Sequence, residues 1–343
     1  MGTGSKKLIM VTAMLLVAAL AIGILLVGSV YIDTSEVIKA LLRDSEVSSR
    51  IKTIIWETRM PMLIGAVCSG AMLSLAGLTM QTLFQNPLAG PSVLGISSGA
   101  SFGVSLFMLS ASGLSAFTIG WFQPVFSIVS ALVGGMLTIA VLYLFSNIVR
   151  SSVSLLIVGL MLSYLFSSLI SLLNYFSPSD EIRSFLVWGL GSFSGLRFST
   201  ALCFLGFAIA VVLPTFFLIK PLNALLAGER FAESVGYNLR RLRGVMLIVT
   251  GVLVAVPTAF CGPIGFIGLI VPHICRMLFK TSNNFWLVPG CILIGAIVTL
   301  TCALLCVIPA DKFGVLPINV VTPFIGVPII IYLLVNRSRR LYF

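Results

Sequence analysis

Charged side chains are scarce in this sequence. Lys, Arg, Asp and Glu together make up 9% of the 343 residues, whereas 59% of the residues are hydrophobic. The mean hydropathy is +1.15. Soluble domains carry about 25% charged residues, which keep their surface compatible with water. The composition therefore excludes a soluble protein, and much of the surface must face lipid.

Acidic residues are missing from the apolar runs. Each of the ten Asp and Glu residues falls in a loop or at the end of a run. Carriers coupled to protons or sodium usually keep an ionisable group within the membrane, although backbone carbonyls can also hold a coupling ion. A secondary carrier is thus disfavoured without being excluded. An intramembrane enzyme would need a catalytic cluster, such as paired aspartates, and the sequence offers none.

Clustered metal ligands are also lacking. The seven cysteines sit singly in apolar runs without a Cys-x-x-Cys pair, and the one histidine, His273, has no second histidine or carboxylate nearby in the sequence. Metal sites and disulfide frameworks need clustered spacings. We therefore interpret the cysteines and His273 as packing residues, and we predict no metal, cofactor or catalytic residue.

A phosphate-binding loop of the form Gly-x-x-x-x-Gly-Lys-Ser/Thr is absent. This chain cannot cradle ATP phosphates in that way, so any nucleotide chemistry must belong to another chain. The net charge of +11 could indicate nucleic acid, but no basic cluster is interleaved with aromatic residues. Basic cytoplasmic loops are the more ordinary source of such an excess in a membrane protein, and no nucleic-acid partner is predicted.

Long apolar runs dominate what is present. A bilayer core about 30 Å thick needs roughly twenty apolar residues per helix. We predict an all-α polytopic membrane protein with about ten transmembrane helices, nine or eleven being the alternatives, in one transmembrane domain over residues 1–343. The predicted spans lie near residues 8–30, 61–83, 93–110, 121–148, 152–175, 198–219, 244–262, 266–279, 285–308 and 318–336. The eighth span is short, and its limits are the least defined.

Charge asymmetry predicts the orientation. An even number of spans puts both termini on one side of the membrane. If that side is the cytoplasm, thirteen basic and two acidic residues lie inside, whereas eight of each lie outside. Cytoplasmic loops carry the excess of Lys and Arg in membrane proteins. We therefore expect both termini in the cytoplasm and the whole formal excess on the inner face.

Small residues mark the start of the third span. Gly95, Gly99 and Gly103 recur every four residues, a spacing that places them on one face of a helix. Small residues at this spacing let two helix backbones approach closely in lipid. We expect tight packing within the subunit, with a helix that moves during function as the alternative.

Charge is concentrated in one loop, residues 220–243, between the sixth and seventh spans. Its stretch GERFAESVGYNLRRLR places Phe231, Val235, Leu239 and Leu242 on one side if it is helical. Gly236 is expected to break it into two short helices. The stretch is either a basic loop that anchors the membrane surface or a short amphipathic helix presented to a soluble cytoplasmic partner.

Four long stretches resemble one known family. They are ETRMPMLIGAVCSGAMLSLAGLTMQTLFQNPLAGPSVLGISSGAS, GERFAESVGYNLRRLR, CGPIGFIGLIVPHICRML and GVLPINVVTPFIGVPIIIYLL, which extend from residue 57 to residue 334. They are similar to the permease family that imports iron–siderophore complexes, haem and vitamin B12 as part of ATP-binding-cassette (ABC) transporters. The resemblance covers nearly all of the chain after the first span.

The resemblance implies an architecture with several partners. Family members have ten spans per subunit and form a homodimer with the pathway at its interface. Two ATPase subunits dock below in the cytoplasm, and a solute-binding protein docks above. The resemblance implies that the ATPase-coupling element comprises Gly228, Glu229, Arg230, Phe231, Ala232, Glu233, Val235, Gly236, Arg240 and Arg241.

Further roles follow from the resemblance by position. Ser151 and Ser152 match residues that narrow the cytoplasmic exit, although two hydroxyls capping a helix would explain them equally well. Arg59 matches an outer arginine that pairs with a glutamate of the binding protein, and Lys312 is the candidate for a second docking charge. The chain departs from the family where Asn319 replaces a glycine before the last span.

The cargo is expected to be an iron chelate, either a siderophore complex or haem, because most of the family handles iron. Cobalamin import by the same mechanism is the alternative. An ion-coupled secondary carrier remains a less favoured reading. The expected site of action is the cytoplasmic membrane.

Overall fold

The computed structural model describes residues 2–87, 89–90, 94–109, 123–149, 152–308 and 314–336. Within these ranges the regular structure is helical and no strand is present, so the all-α prediction is confirmed. The helices are α1 (Thr3–Leu26), α2 (Thr34–Leu41), α3 (Ser49–Ile54), α4 (Met60–Leu83), α5 (Ile96–Leu109), α6 (Gln123–Ile148), α7 (Ser152–Phe176), α8 (Ser179–Gly189), α9 (Phe198–Thr215), α10 (Ile219–Leu226), α11 (Glu229–Ser234), α12 (Leu239–Cys261), α13 (Ile267–Phe279), α14 (Asn284–Val307) and α15 (Ile318–Asn336).

Helix length separates the spanning candidates from the connecting helices. In the described part of the chain, seven helical segments are long and apolar enough to cross a membrane: Thr3–Leu26, Ser49–Leu83, Val125–Ser146, Ser154–Phe176, Phe198–Leu226, Leu239–Cys261 and Asn284–Val307. Ser49–Leu83 joins α3 to α4 through a π-helix at Ile55–Arg59, and Phe198–Leu226 joins α9 to α10 through a short 3-10 helix at Phe216–Leu218. Three shorter apolar helices lie at Ile96–Leu109, Ile267–Phe279 and Ile318–Tyr332. Together they agree with the expectation of about ten transmembrane helices.

Helix α4 lies at the centre of the bundle. It is buried along most of its length and packs against α9, α12, α13 and α14. Its contact with α14 is close enough that a Cβ atom on Gly70 would overlap the carbonyl group of Gly295. Two hydroxyls cross the same contact: Thr299 donates to the Ala66 carbonyl at 2.7 Å, and Ser74 donates to the Cys291 carbonyl at 2.7 Å. Small residues and hydroxyls thus join α4 and α14 where the hydrophobic effect between helices is weak.

The predicted glycine stripe divides between two partners. Gly99 and Gly103 lie on α5 and face α6, where a Cβ atom would overlap Thr138 and Ser130 respectively. Gly95 precedes the helix, has a φ of +74°, and faces α7 instead. The prediction that all three share one helix face is therefore wrong, because α5, the helix of the predicted third span, begins one residue after Gly95.

Apolar side chains remain exposed around the periphery. Leu15 on α1 is 66% exposed, Tyr164 on α7 is 63% exposed, and Leu213 on α9 is 59% exposed. Monomeric soluble proteins rarely expose contiguous apolar surface on this scale. This surface suits contact with lipid or with another membrane-embedded chain.

Side-chain contacts define one end of the bundle, which we call the α11 end. Gln85, just after α4, donates to the Leu225 carbonyl of α10 at 3.1 Å. Lys6 on α1 lies 5.8 Å from the ring centroid of Trp286 on α14. The α11 end therefore gathers the beginnings of α1 and α14, the end of α4, and α10.

The opposite end is defined in the same way. The Phe198 amide at the start of α9 donates to Glu57 at 3.3 Å. The Ser192 amide donates to the Cys261 carbonyl at the end of α12 at 2.9 Å, and the Ile318 amide at the start of α15 donates to Gly191 at 3.2 Å. Lys6 thus lies at the α11 end of the bundle, and Glu57 lies at the opposite end.

Candidate functional site

The charged loop folds into a short helix between two glycine turns. Gly228 precedes α11 with a φ of +108°, and Gly236 follows it with a φ of +99°. Only glycine adopts such angles without steric cost, so these two residues set the bounds of the helix. The Asn238 side chain then accepts a hydrogen bond from the Arg241 amide at 3.1 Å and begins α12. The break expected at Gly236 is present.

One side of α11 faces the protein and the other faces outward. Ala232 is fully buried, whereas Phe231 is 50% exposed and Val235 is 58% exposed. The exposed polar neighbours are Arg230, Glu233, Arg240 and Arg241. We call the set of Arg230, Phe231, Glu233, Val235, Arg240 and Arg241 the α11 surface. It pairs two apolar side chains with basic ones, a composition that suits docking of a soluble protein.

The apolar face predicted from the sequence is shorter in the structure. Leu242 is 8% exposed and packs in the main core, and Leu239 packs partly against it. The turn at Gly236 rotates α12 relative to α11, so a single helical periodicity does not extend across it. Phe231 and Val235 remain on the exposed side, and Leu242 belongs to the bundle.

Two contacts hold α11 against α12. Glu229, the first residue of α11, forms an ion pair with Arg243 of α12. The Tyr237 amide donates to the Ala232 carbonyl at 3.0 Å, which closes the turn between the two helices. The orientation of the α11 surface is therefore set by the bundle and not by the loop alone.

Three asparagines connect the preceding helix, α10, to α14. The Asn223 side-chain oxygen accepts from the Asn284 amide at 2.8 Å and from the Asn284 side chain at 3.0 Å. Asn223 also donates to the Asn283 side chain at 3.0 Å. No sequence pattern predicted this cluster. Its signal was three amides in otherwise apolar surroundings, within PLNALL and SNNFW.

At the opposite end, Arg59 is not a surface charge. Its side chain is 3% exposed, and its guanidinium donates to the carbonyls of Leu25, Leu26 and Val30. These carbonyls lie at and just beyond the end of α1, where the helix dipole favours a cation. The prediction that Arg59 is a rim charge for docking therefore does not fit its geometry. The residue holds the end of α1 against α4.

The remaining predicted residues are placed only in part. Ser151 and Lys312 lie outside the described residues. Ser152 is the first residue of α7. His273 lies within α13, and no group of three His, Cys, Asp or Glu side chains in the described ranges is arranged to hold a metal ion.

Asn319 shapes the turn at which the sequence departs from the family pattern. Its side chain donates to the Pro263 carbonyl at 2.6 Å and accepts from the Gly265 amide at 3.1 Å. A glycine could make neither bond. Asn319 thus ties the start of α15 to the turn between α12 and α13.

The sequence model of the FecCD transport family matches residues 14–336. The chain belongs to this family. Two curated relatives are vitamin B12 import system permease proteins BtuC. The one from Salmonella paratyphi A is 34% identical over 85% of this chain and 86% of the relative. The one from Salmonella typhi is 35% identical over the same shares.

Solved structures agree with this FecCD chain in fold. One, described as an inward-facing conformation of a metal-chelate type ABC transporter, has a TM-score of 0.83 and 29% identity, and the match covers 96% of this chain and 99% of the other. A second, PsaBC from Streptococcus pneumoniae in complex with Fab, has a TM-score of 0.53 and 17% identity over 80% of this chain and 90% of the other, a likeness in fold alone.

Family membership and these relatives establish the class of activity. The FecCD chain is the transmembrane permease subunit of an ABC importer, a multi-pass membrane protein. It is not an enzyme, and ATP hydrolysis lies on a partner subunit. Such a permease works with ATPase subunits and a solute-binding protein.

Proposed function

We propose that this permease imports cobalamin across the cytoplasmic membrane. The observation that carries the proposal is the match to vitamin B12 import permeases at 34–35% identity across 85% of the chain. Cobalamin is a metal chelate, so the likeness to a metal-chelate type transporter supports the same cargo class. The sequence led us to expect an iron chelate as the cargo and cobalamin as the alternative; cobalamin is now the preferred cargo.

An iron chelate is the second candidate cargo. The structure of a metal-chelate type ABC transporter matches 96% of this chain with a TM-score of 0.83. That description covers iron complexes as well as corrinoids. The two candidates share a mechanism and differ only in what the pathway and the binding protein accept.

The proposed assembly contains two copies of the chain with the pathway between them. The exposed apolar faces on the bundle periphery provide surface for such a membrane-embedded interface. We place both termini in the cytoplasm, since the loops at the α11 end carry the basic excess. The cytoplasmic exit is proposed to lie near Ser151 and Ser152.

In this assembly the α11 surface docks on the ATPase. Phe231 and Val235 would be buried in the contact, and Arg230, Arg240 and Arg241 would surround them with positive charge. Such an arrangement concentrates affinity in a few apolar anchors and leaves orientation to the charged rim. Closure of the ATPase subunits around ATP would then displace α11 and switch the pathway between its two open forms.

Reconstitution tests the cargo directly. The permease, its ATPase and its binding protein are placed in liposomes that contain ATP, and uptake of radiolabelled cyanocobalamin, a ferric siderophore and haem is measured. ATP-dependent uptake of cobalamin in preference to the others is expected. Preference for the ferric siderophore or haem would replace the cargo assignment. Uptake driven by an ion gradient through the permease alone would contradict an importer that depends on ATP.

A further inference from the structure

The link between α10 and α14 is more extensive than a single hydrogen bond. Asn223 lies in the middle of α10 and uses both ends of its side-chain amide. Its oxygen accepts twice from Asn284, at 2.8 and 3.0 Å, while its nitrogen donates to Asn283 at 3.0 Å. Asn283 in turn caps α14, accepting from the Phe285 amide at 2.9 Å. Asn223 is therefore hydrogen-bonded to the start of α14.

Burial shields part of this link from water. Asn284 is completely buried, so its two hydrogen bonds to Asn223 are partly protected from solvent, whereas the bond from Asn223 to Asn283 lies at the surface. The other attachment of the segment differs. In the ion pair between Glu229 and Arg243, the Glu229 side chain is 42% exposed. Partly exposed ion pairs weaken with salt, whereas hydrogen bonds between neutral amides depend little on salt, so the two attachments should respond differently to ionic strength.

Helix α10 is also the immediate support of α11. Only Ala227 and Gly228 separate the two helices. The Ala227 and Gly228 amides donate to the carbonyls of Ala224 and Leu225 at 3.2 and 3.0 Å, so the connection remains hydrogen-bonded to α10. The connection between α10 and α11 is therefore short and hydrogen-bonded.

Two side-chain contacts connect α10 to the centre of the bundle. Asn223 leads to α14, and Gln85, whose side chain donates to the Leu225 carbonyl at 3.1 Å, leads to α4. Helices α4 and α14 are themselves joined by the Thr299 and Ser74 hydroxyls at 2.7 Å and by glycine contacts. The two helices are therefore closely packed along their contact.

We propose that Asn223 is a positioning residue of the transport cycle, which couples displacement of α11 to the α4–α14 pair. This inference rests on the proposed docking of the ATPase on the α11 surface. Without the Asn223 amide, α11 would still dock, but its movement would be taken up at the junction between α10 and α14. ATP hydrolysis would then continue without driving cargo movement efficiently.

The chain offers variants that isolate this role. Asn223→Ala removes all three hydrogen bonds. Asn223→Asp keeps an acceptor for both Asn284 donors, but it places a carboxylate oxygen opposite the Asn283 side-chain oxygen, where Asn223 has a donor. Thr301→Val is the matched control on α14, since the Thr301 hydroxyl donates at 2.8 Å to Ile297 within its own helix and connects nothing else by that bond.

Two readouts are measured on the complete importer. The first is cargo uptake per ATP hydrolysed, which we expect to fall about threefold to tenfold in Asn223→Ala, the factor that corresponds to about one net hydrogen bond. We expect ATPase association and hydrolysis to persist in that variant. Asn223→Asp should recover part of the ratio, and Thr301→Val should leave it unchanged.

The second readout does not depend on cargo. Spin labels replace Ser234 on α11 and Phe285 on α14, both exposed, after Cys203, the exposed cysteine among the described residues, is changed to serine. Pulsed electron resonance then gives the distance between the labels before and after trapping with ATP and vanadate. We expect one narrow distribution in the parent protein under both conditions. In Asn223→Ala we expect a distribution that shifts or broadens on trapping.

The outcomes distinguish failure of the coupling role of Asn223 from failure of the proposed cargo. A parent protein whose label distance changes on trapping would overturn the coupling role, as would an Asn223→Ala variant that keeps both the parent distribution and the parent uptake ratio. Loss of ATPase association in Asn223→Ala would show a purely structural role and would also overturn it. A parent protein that keeps its distance but does not import cobalamin would refute the cargo and leave the coupling role standing.

Discussion

Arg59 and Val30 are joined by a hydrogen bond of 2.7 Å from the Arg59 guanidinium to the Val30 carbonyl. The same guanidinium reaches the Leu26 carbonyl at 3.0 Å, at the end of α1. A residue whose family match suggested a role at the outer surface is thus used within the subunit. Its charge satisfies carbonyl groups that the end of a helix leaves without partners.

Arg59→Ala is expected to destabilise the permease. The substitution removes the charged donor from three part-buried carbonyls around the end of α1, and hydrogen bonds to charged groups contribute about 1.5–3 kcal/mol each. The thermal unfolding temperature in detergent measures the loss. Arg50→Ala, which removes an exposed arginine on α3, is the matched control and should have little effect. An Arg59→Ala protein as stable as the Arg50→Ala protein would contradict the buried role.

Gly77→Ala is expected to disrupt the centre of the bundle. A Cβ atom at Gly77 would overlap the backbone of Gly268 on α13, and backbone cannot move aside as a side chain can. Overpacking of this kind costs about 1–3 kcal/mol or more. Gly206→Ala on α9 is the control, because no heavy atom lies within 4 Å of its added Cβ. Equal unfolding temperatures for the two variants would show that α4 and α13 can separate.

Replacing Phe231 and Val235 together by alanine should weaken ATPase association about tenfold or more, because apolar anchors carry most of the energy of such contacts. Both side chains are at least half exposed, so the fold should be unaffected. Co-purification with the ATPase and the unfolding temperature are measured together. Phe217→Ala removes a side chain that is 84% exposed and lies outside the α11 surface. If that control weakens association as much, the surface has been misassigned.

Asn319→Ala is expected to loosen the turn at the end of α12. It removes the donor to Pro263 and the acceptor for Gly265, a loss of about 1–3 kcal/mol. Hydrogen exchange at the Gly265 amide should become faster, which mass spectrometry of a peptide containing it measures. Asn174→Ala is the comparison, because the side-chain oxygen of Asn174 has no hydrogen-bond partner among the described residues. Unchanged exchange at Gly265 would show that the turn holds without Asn319.

Much of the fold follows from patterns that act over short distances. Helix α14 occupies Asn284–Val307 and α15 occupies Ile318–Asn336, over the apolar runs at 285–308 and 318–336 from which spans were predicted. Whether each helix crosses the membrane remains a prediction, as do the orientation and the homodimer. The break at Gly236 could also be predicted, because glycine is the residue that reaches a positive φ at low cost.

Other features could not be read from local patterns. The periodicity that linked Phe231 and Val235 to Leu242 fails because the turn at Gly236 changes the direction of the chain. The spacing that grouped Gly95 with Gly99 and Gly103 fails because the helix begins after Gly95. In both cases the pattern assumed a continuous helix, and the structure interrupts it.

The sequence by itself determined that this protein is helical and lipid-embedded, that it lacks a phosphate-binding loop, and that its charge is concentrated beside α11. These properties depend on composition and on spacings of a few residues, since the bilayer imposes the same length and polarity on every span. The tertiary structure alone decided that Arg59 is buried against α1, that Asn319 closes a turn, and that Asn223 grips α14. Those contacts join residues that are 29, 56 and 61 positions apart in the sequence. Which residues meet over such separations depends on how the helices pack.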